Sequence, residues 1–243
     1  MLSVVIPTKN EEADLPKLLA SLAAQTVRPD EIIVADAKST DQTRALAEAA
    51  GARVVDGGLP SVGRNRGAAA VTQPLVLFLD ADVVLKDPTM IQRMLAAFDE
   101  RSLDVATCEV EPLDAGAVDQ VLHKAYNKYA KVLEKIFPHA PGFCILARKE
   151  LHDRIGGFDE SVVFCEDHDY VQRASKLGRF GILPVKVPVS IRRLDRDGRL
   201  QIAVKYVLAE LHLATLGPIR HDLFNYTFGH DQKKKAKAKK PRA

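Results

Sequence analysis

Apolar residues in this chain come in short continuous runs, separated by stretches in which they recur every three or four positions. Leu2–Pro7 is a partly β-branched run that stops at a proline and reads as a buried strand. In 14–24, Leu15, Leu18, Leu19 and Leu22 fall at helical spacing, with Glu11, Glu12 and Asp14 suited to the positive end of that helix. Glu31–Ala35 predicts a second strand, and Ser39 with Gln42 offers a capping box for a helix through Ala50. Arg53–Val55 is a third strand, Gly57-Gly58 a loop, Ser61–Val71 a short helix, and Leu75–Leu79 the most apolar strand, ending on Asp80. Further on, helices at 89–98 and 117–136 flank a strand at 104–110, and a strand at 143–147 leads into Arg148–Ile155. Asp167–Leu177 is expected to be helical, Phe180–Leu183 and Val187–Ile191 two short strands, and Leu200–Leu216 a last helix. The last helix carries Leu200, Ala203, Val204, Val207, Leu208 and Leu211 along one stripe, expected to pack on the domain. Alternating strand and helix with no internal repeat predicts an α/β fold, a mostly parallel sheet wrapped by helices, whose ligands bind beyond the carboxyl ends of the strands.

With 243 residues, 47% hydrophobic and 28% charged, the chain has a globular composition and the length of one larger domain or at most two small ones. The formal charge of +3 changes meaning once it is split. Seven of the 35 basic residues lie from Lys233 onward with no acid among them, leaving 28 basic against 32 acidic side chains in 1–232. The body is mildly acidic, so nucleic-acid binding by the domain is not expected. The Lys/Ala-rich end cannot form a core and is expected to be disordered; its charge suits either an anionic membrane surface or a solvated end with no partner. Cys108, Cys144 and Cys165 are too widely spaced for a zinc site and suggest buried thiols in a reducing compartment. No apolar run approaches the ~20 residues of a membrane-spanning helix, and no basic region precedes the first apolar stretch. A cytoplasmic protein, or one peripheral on the cytosolic membrane face, is the expectation.

Four strand ends carry polar clusters: Pro7-Thr8-Lys9-Asn10-Glu11, Asp36, Gly63-Arg64-Asn65-Arg66-Gly67, and Asp80-Ala81-Asp82. Two carboxylates one residue apart after a buried strand are costly to desolvate unless something positive binds beside them. A hard divalent cation carrying phosphate is the natural partner, although either Asp could equally cap a turn.

Taken together these segments resemble family 2 inverting glycosyltransferases of the small, non-processive type. VVIPTKNEE at 4–12 is similar to the family's opening strand and loop, and VADAKSTDQT at 34–43 to its VVDDGSTDGT segment. GRNRGAAA at 63–70 resembles its Arg-Asn-x-Gly helix start, FLDADVV at 78–84 its Asp-x-Asp strand end, and CEDHDYVQRASKLG at 165–178 its Glu-Asp segment. The resemblance implies a GT-A fold over about 1–220, with 221–243 an extension. It implies a nucleotide-diphosphate sugar donor and a Mg²⁺ or Mn²⁺ ion. Pro7, Thr8, Asn10, Glu11 and Asp36 would form the nucleoside pocket, and Arg64 and Asn65 would lie near the diphosphate and donor sugar. Asp80 would face ribose or the metal through water, Asp82 would ligate the metal directly, and Asp167 would be the general base with Glu166 in support. Gly142 and Phe143 resemble the strand that shapes the acceptor site, and Arg192 and Arg193 stand where small members carry basic residues, either as contacts to diphosphate or acceptor phosphate or as a surface charge cluster. The acceptor is left open between a lipid phosphate, a saccharide and a small metabolite.

Some residues depart from the family pattern or read as ordinary. Ala37 and Lys38 replace a second Asp and a small residue, and Lys38 reads as a phosphate contact or a solvated turn. The chain has no Trp, so the Gln-x-x-Arg-Trp segment of processive synthases is absent and transfer of one sugar is implied. His168 reads as a hydrogen-bonded neighbour of Asp167, His212, His221 and His230 as non-ligands, and Tyr126, Tyr129 and Phe137 as core contacts. Two other functions fit less well. A nucleotidyltransferase would want a glycine-rich basic loop where PTKNEE stands, and a binding protein without turnover would not need Asp167.

Overall fold

The computed structural model describes residues 1–113, 115–221 and 223, with the Arg193 side chain outside that description. Seven strands, β1 (Leu2–Thr8), β2 (Glu31–Asp36), β3 (Arg53–Asp56), β4 (Leu75–Leu79), β5 (Val105–Leu113), β6 (Cys144–Arg148) and β7 (Phe180–Ser190), form one sheet. The helices among the described residues are α1 (Leu15–Ala23), α2 (Thr43–Ala49), α3 (Pro60–Ala69), α4 (Met90–Glu100) and α5 (Ala117–Leu133), then α6 (Lys149–Arg154), α7 (Glu166–Ser175), α8 (Arg192–Asp197) and α9 (Arg199–Leu216). The strand order is β3-β2-β1-β4-β6-β5-β7. β6 runs antiparallel to β4 and β5, and the other pairs are parallel. This is the expected α/β architecture, and its order changes direction beside β1, so β1 and β4 place their carboxyl ends next to each other.

The continuous runs in β1 and β4 are buried because both faces of the sheet are covered. One face packs Val4, Ile6, Leu77 and Leu79 against Leu15, Leu18, Leu22, Met94 and Phe98. The other packs Val5, Val76 and Phe78 with Phe158, Tyr170 and Leu151. Each fully buried Leu or Phe contributes about 1.5–3 kcal/mol, which makes these layers the rigid support of the rim. α3 approaches β1 closely through Gly67, where a Cβ would stand 2.3 Å from Val5.

Four expectations need correction. The two short strands at 180–191 are one strand. Its pairing with β5 shifts register between Cys108 and Glu109, and the irregularity absorbs Pro184, whose ring offers no N–H to a ladder. The capping box at Ser39 does not form: α2 begins at Thr43 after Gln42, with no side-chain cap, because the Ser39 hydroxyl accepts the Asn10 N–H at 2.8 Å. The stripe on the last helix does not pack on the domain. Leu200, Val204, Val207, Leu208 and Leu211 are exposed, and α9 is seated through Ile202, Ala209 and Leu213 on its opposite side. Of the aromatic residues expected in the core, Tyr126 and Phe137 pack against buried clusters, whereas Tyr129 is exposed. The three cysteines are free thiols and buried, as expected.

Candidate active site

The loop after β1 is fastened to the loop after β2 by a set of polar contacts. Thr8 Oγ1 donates to Asp36 Oδ1 at 3.2 Å, and the Ser39 N–H donates to Asp36 Oδ2 at 3.0 Å. Asn10 takes the left-handed conformation at φ 55°, tolerated best by Asn among non-glycine residues, and its Oδ1 accepts the Thr40 N–H at 2.8 Å. The Glu11 N–H donates to Thr43 Oγ1 at 2.8 Å. Pro7, Thr8, Asn10, Glu11 and Asp36 are all buried on this rim. Lys38 is an exposed residue in the left-handed region, a solvated turn position.

Beside this loop lies a cleft rich in carboxylates. Asp14, Lys17 and Asp82 line a cavity of about 320 Å³ with Ser190, Ile191 and Arg192, a volume within the range of small-molecule sites. Burial raises the Glu11 carboxyl to about 7, with Arg192 opposing and Asp82 adding to the rise. Asp82 is raised to about 6 by burial and by the neighbouring Asp80. Arg192 Nη2 stands 3.2 Å from Glu11 Oε2 and 3.3 Å from Asp82 Oδ2, and its Nη1 bonds Asp14. Arg192, open in the sequence between a phosphate contact and a charge cluster, pairs here with the three carboxylates Glu11, Asp14 and Asp82. The Arg193 side chain lies outside the described residues. Oxygen donors gathered at this density, with two carboxyls held above their usual range, suit a hard divalent cation at Asp80 and Asp82.

On the far side of Asp80, Arg64 organises a second cluster. Its side chain is buried, donating from Nη1 to Glu166 Oε1 at 2.8 Å and from Nη2 to Asp80 Oδ1 at 2.9 Å and Gly142 O at 3.1 Å. Its Nε is buried without a partner, and the guanidinium lies 5.3 Å over the Phe158 ring. Burial alone would make the cation easier to deprotonate, but Asp80, Glu166 and Asp167 hold it charged. Gly142 is required by this packing: a Cβ there would meet Arg64 Nη2 at 2.9 Å and Asp167 Oδ2 at 3.0 Å.

Cys165, at φ 57°, turns the chain into α7 and sets Glu166 and Asp167 on its first turn. Glu166 is held by Arg64, while Asp167 Oδ1 accepts from His168 Nδ1 at 2.8 Å and from the His168 N–H at 2.9 Å. Burial would raise the Asp167 carboxyl, yet His168 and then Arg64 outweigh it and hold the group below the usual carboxylate range. His168 is correspondingly lifted to about 10 against its own burial by Asp167 and Glu210. The chain of contacts continues, with Glu210 Oε1 at 3.3 Å from His168 Nε2 and Glu210 Oε2 at 2.7 Å from His139 Nε2. These are hydrogen-bond separations, and Asp167 thus ends a relay of alternating carboxylates and imidazoles.

The sequence profile of Glycosyl transferase family 2 matches residues 3–156, more than half of the chain and every rim segment through Gly142. The chain belongs to that family. Among similar curated proteins, the validoxylamine A glucosyltransferase of Streptomyces hygroscopicus subsp. limoneus is 39% identical over 113 residues, covering 40% of this chain and 23% of that protein. The glucosyl-3-phosphoglycerate synthase of Mycolicibacterium smegmatis is 36% identical over 109 residues, covering 38% and 34%. The match therefore spans about a third or less of the relatives' lengths. Among solved structures, glucosyl-3-phosphoglycerate synthase from Mycobacterium tuberculosis in complex with Mn²⁺, uridine diphosphate and glucosyl-3-phosphoglycerate superimposes with a TM-score of 0.62. It is 23% identical, with 91% of this chain and 81% of that one covered. A mannosyltransferase from Pyrobaculum calidifontis in complex with GDP-mannose and Mn²⁺ gives 0.65 at 19% identity, covering 77% and 56%. The family 2 chain thus has the GT-A fold.

Two expected site residues turn out to be scaffold. Asn65 clasps the 157–160 loop: its Nδ2 donates to Phe158 O and Glu160 Oε1, both at 2.9 Å, and its Oδ1 accepts the Phe158 N–H at 2.8 Å. Both ends of its amide are thereby engaged away from the cleft. The Phe143 ring packs in the core, and only its carbonyl reaches the rim, accepting the Asp80 N–H at 3.1 Å. His139, Glu210 and Asp14 were missed. Glu210 carried a weak signal as the single acid of α9; His139 carried none, because only folding brings it to Glu210.

Proposed function

We propose that this family 2 chain is a metal-assisted glycosyltransferase that moves one sugar from a nucleotide-diphosphate donor to an acceptor hydroxyl with inversion. The observation that carries this reading is the placement of Asp80 between two clusters, with the Glu11–Asp82 carboxylates on one side and the Arg64-anchored Glu166–Asp167 pair on the other. In this reading Pro7, Thr8, Asn10 and Asp36 cradle the nucleoside. Asp82, with Asp80, would hold Mg²⁺ or Mn²⁺, which when bound neutralises charge on the departing diphosphate. Arg192 moves from Asp82 to phosphate oxygens as the donor enters, exchanging one anionic partner for another. Arg64 positions Asp80 and Glu166. Asp167 takes the acceptor proton as the hydroxyl attacks the anomeric carbon, and the single displacement inverts it. The adjacent His168, itself paired with Glu210, orients Asp167 and keeps it ionised, ready to accept a proton. The catalytic unit extends over 1–220, and the acceptor belongs to the lipid-phosphate, saccharide or small-metabolite classes.

Thermal shift with UDP-glucose, UDP-GlcNAc and GDP-mannose, each with and without Mn²⁺, tests this. A donor at a hundredfold its Kd adds about 2.7 kcal/mol, a rise of roughly 5–10 °C for a domain of this size. Asp82→Asn is expected to remove most of that rise and Asp80→Asn less. Stabilisation that is equal with and without metal in all three proteins would remove the cation from the mechanism. Release of nucleoside diphosphate, with the product's anomeric configuration read by NMR, separates transfer from nucleotidyl chemistry and from binding without turnover.

A further inference from the structure

No helix of the described residues is long and apolar enough to cross a membrane, yet two of them leave apolar stripes in solvent. α5 and α9 lie side by side and run in the same direction. Arg199, at the start of α9, forms a two-pronged pair with Asp119 at the start of α5, both distances 2.7 Å, and Glu210, three turns later, meets His139 just beyond the end of α5. On α5, Val118, Val121, Leu122, Tyr129 and Val132, continued by Ile136, are exposed within a sector of about 100°. On α9, Leu200, Val204, Val207, Leu208 and Leu211 occupy a similar sector, opposite the Ile202–Ala209–Leu213 side that packs inward. Exposed apolar surface of this extent marks an interaction site.

Charge decides the partner. Lys124, Lys128 and Lys135 line one border of the α5 stripe, together with Lys131, which is paired with Glu109 of β5 at 2.6 Å, so that helix has three sectors: apolar outward, basic to one side, and packed inward. The acids of the two helices do not oppose them. Asp119 is buried against Arg199, and Glu210 is engaged with His139 and His168. Among the described residues, α5 and α9 present no exposed carboxylate. The chain then places seven further basic residues between Lys233 and Arg242, within about two dozen residues of the end of α9.

We propose that the α5–α9 face is a docking surface for an anionic lipid bilayer, with both helices in the membrane plane, their stripes in the acyl boundary and the lysines at headgroup level. An apolar stripe bordered by lysines is what an interface of lipid tails under anionic headgroups recognises, and long lysine stems can lie along the apolar zone while their ammonium groups stay in water. Anionic lipid adds attraction for each lysine close to the surface, and the basic end strengthens the same association. α9 also carries Glu210, whose contact with His168 joins this helix to α7. This inference does not depend on the transfer reaction, and its test does not use turnover.

The full chain is mixed with vesicles of two parts phosphatidylcholine to one part phosphatidylglycerol, or of phosphatidylcholine alone, and binding is read by co-flotation at low and high salt. Wild type is expected to bind the anionic vesicles and to lose binding at high salt and on the neutral ones. L208E/L211E and V121E/V132E replace side chains already in solvent, so circular dichroism should be unchanged while vesicle affinity falls about tenfold or more. Deleting 233–243 is expected to weaken binding without abolishing it. The proposal is overturned if wild type does not bind, if the glutamate variants bind as wild type while the deletion removes all binding, or if light scattering shows a wild-type dimer that the glutamate substitutions dissociate, which would make a second copy the occupant.

Discussion

Replacing Arg64 by methionine tests whether the guanidinium holds the two carboxylate clusters together. Methionine keeps an unbranched stem to lie on Phe158 but removes a cation that bonds Glu166 Oε1 at 2.8 Å, Asp80 Oδ1 at 2.9 Å and the Gly142 carbonyl at 3.1 Å. Removing one partner of a buried ion pair typically costs 3–5 kcal/mol, because the acids left behind lose their counter-charge. Asp80 is 39% exposed and water recovers part of its loss, whereas Glu166 is 13% exposed and recovers little. The lower end, about 3 kcal/mol, is therefore expected, a large share of a typical total of 5–15 kcal/mol and a fall of roughly 6–12 °C in Tm. Urea denaturation of R64M, E166Q and the double variant measures it, with a coupling of about 1–3 kcal/mol expected between the two sites. R64K should recover only part, since an ammonium cannot serve three acceptors in the guanidinium's planar geometry. There is also a signature in pH. Asp167 lies below its ordinary range when folded, so its stabilisation is present above the unfolded carboxylate value of about 4 and is lost as pH falls through the folded value. Without Arg64 that loss begins at higher pH. A destabilisation of less than about 1 kcal/mol, or full rescue by lysine, would refute the reasoning.

His168, lifted to about 10 by Asp167 and Glu210, contributes stability that is fully present below the unfolded value near 6.5 and is lost as pH rises through about 10. The urea midpoint should fall from pH 6 to pH 10 in wild type and much less in H168Q. Asp167→Asn should slow single-turnover transfer by ~10²–10⁴-fold with donor affinity nearly unchanged; a defect confined to donor binding would place the base elsewhere. Gly142→Ala should displace Arg64 and Asp167 together, since its Cβ would stand 2.9 Å and 3.0 Å from their side-chain atoms. Fluorimetry and a transfer assay should therefore report losses of both stability and rate, and a variant that behaves as wild type would show that the crowding relaxes freely. Deleting 233–243 should leave turnover on a soluble acceptor unchanged.

The sheet and its rim were legible in the sequence because both depend on local pattern. Buried strands need continuous apolar runs, such as Leu2–Ile6 and Leu75–Leu79, and chemistry at their carboxyl ends needs polar residues immediately after, as at Asp36 and Asp80. The DHD order at 167–169 likewise showed a histidine beside the candidate base. Periodicity reports that an amphipathic face exists without saying which way it points. That is why the α9 stripe was assigned inward, while the structure seats the helix on Ile202, Ala209 and Leu213. The same limit applies to side chains whose partners are distant in the chain. Whether Arg192 meets phosphate or carboxylates, and whether Asn65 meets a ligand or the 157–160 loop, depends on which loops folding brings alongside. The relay from Asp167 through His168 and Glu210 to His139 joins α7 to the far end of α9, 71 residues from its last member. The sequence by itself determined the strands up to β6, their order of chemistry and the acids on the rim, since those follow from burial and spacing along one segment. Only the tertiary structure decided the partners of those acids and the outward face of α5 and α9, because these depend on distances between segments that no local pattern encodes.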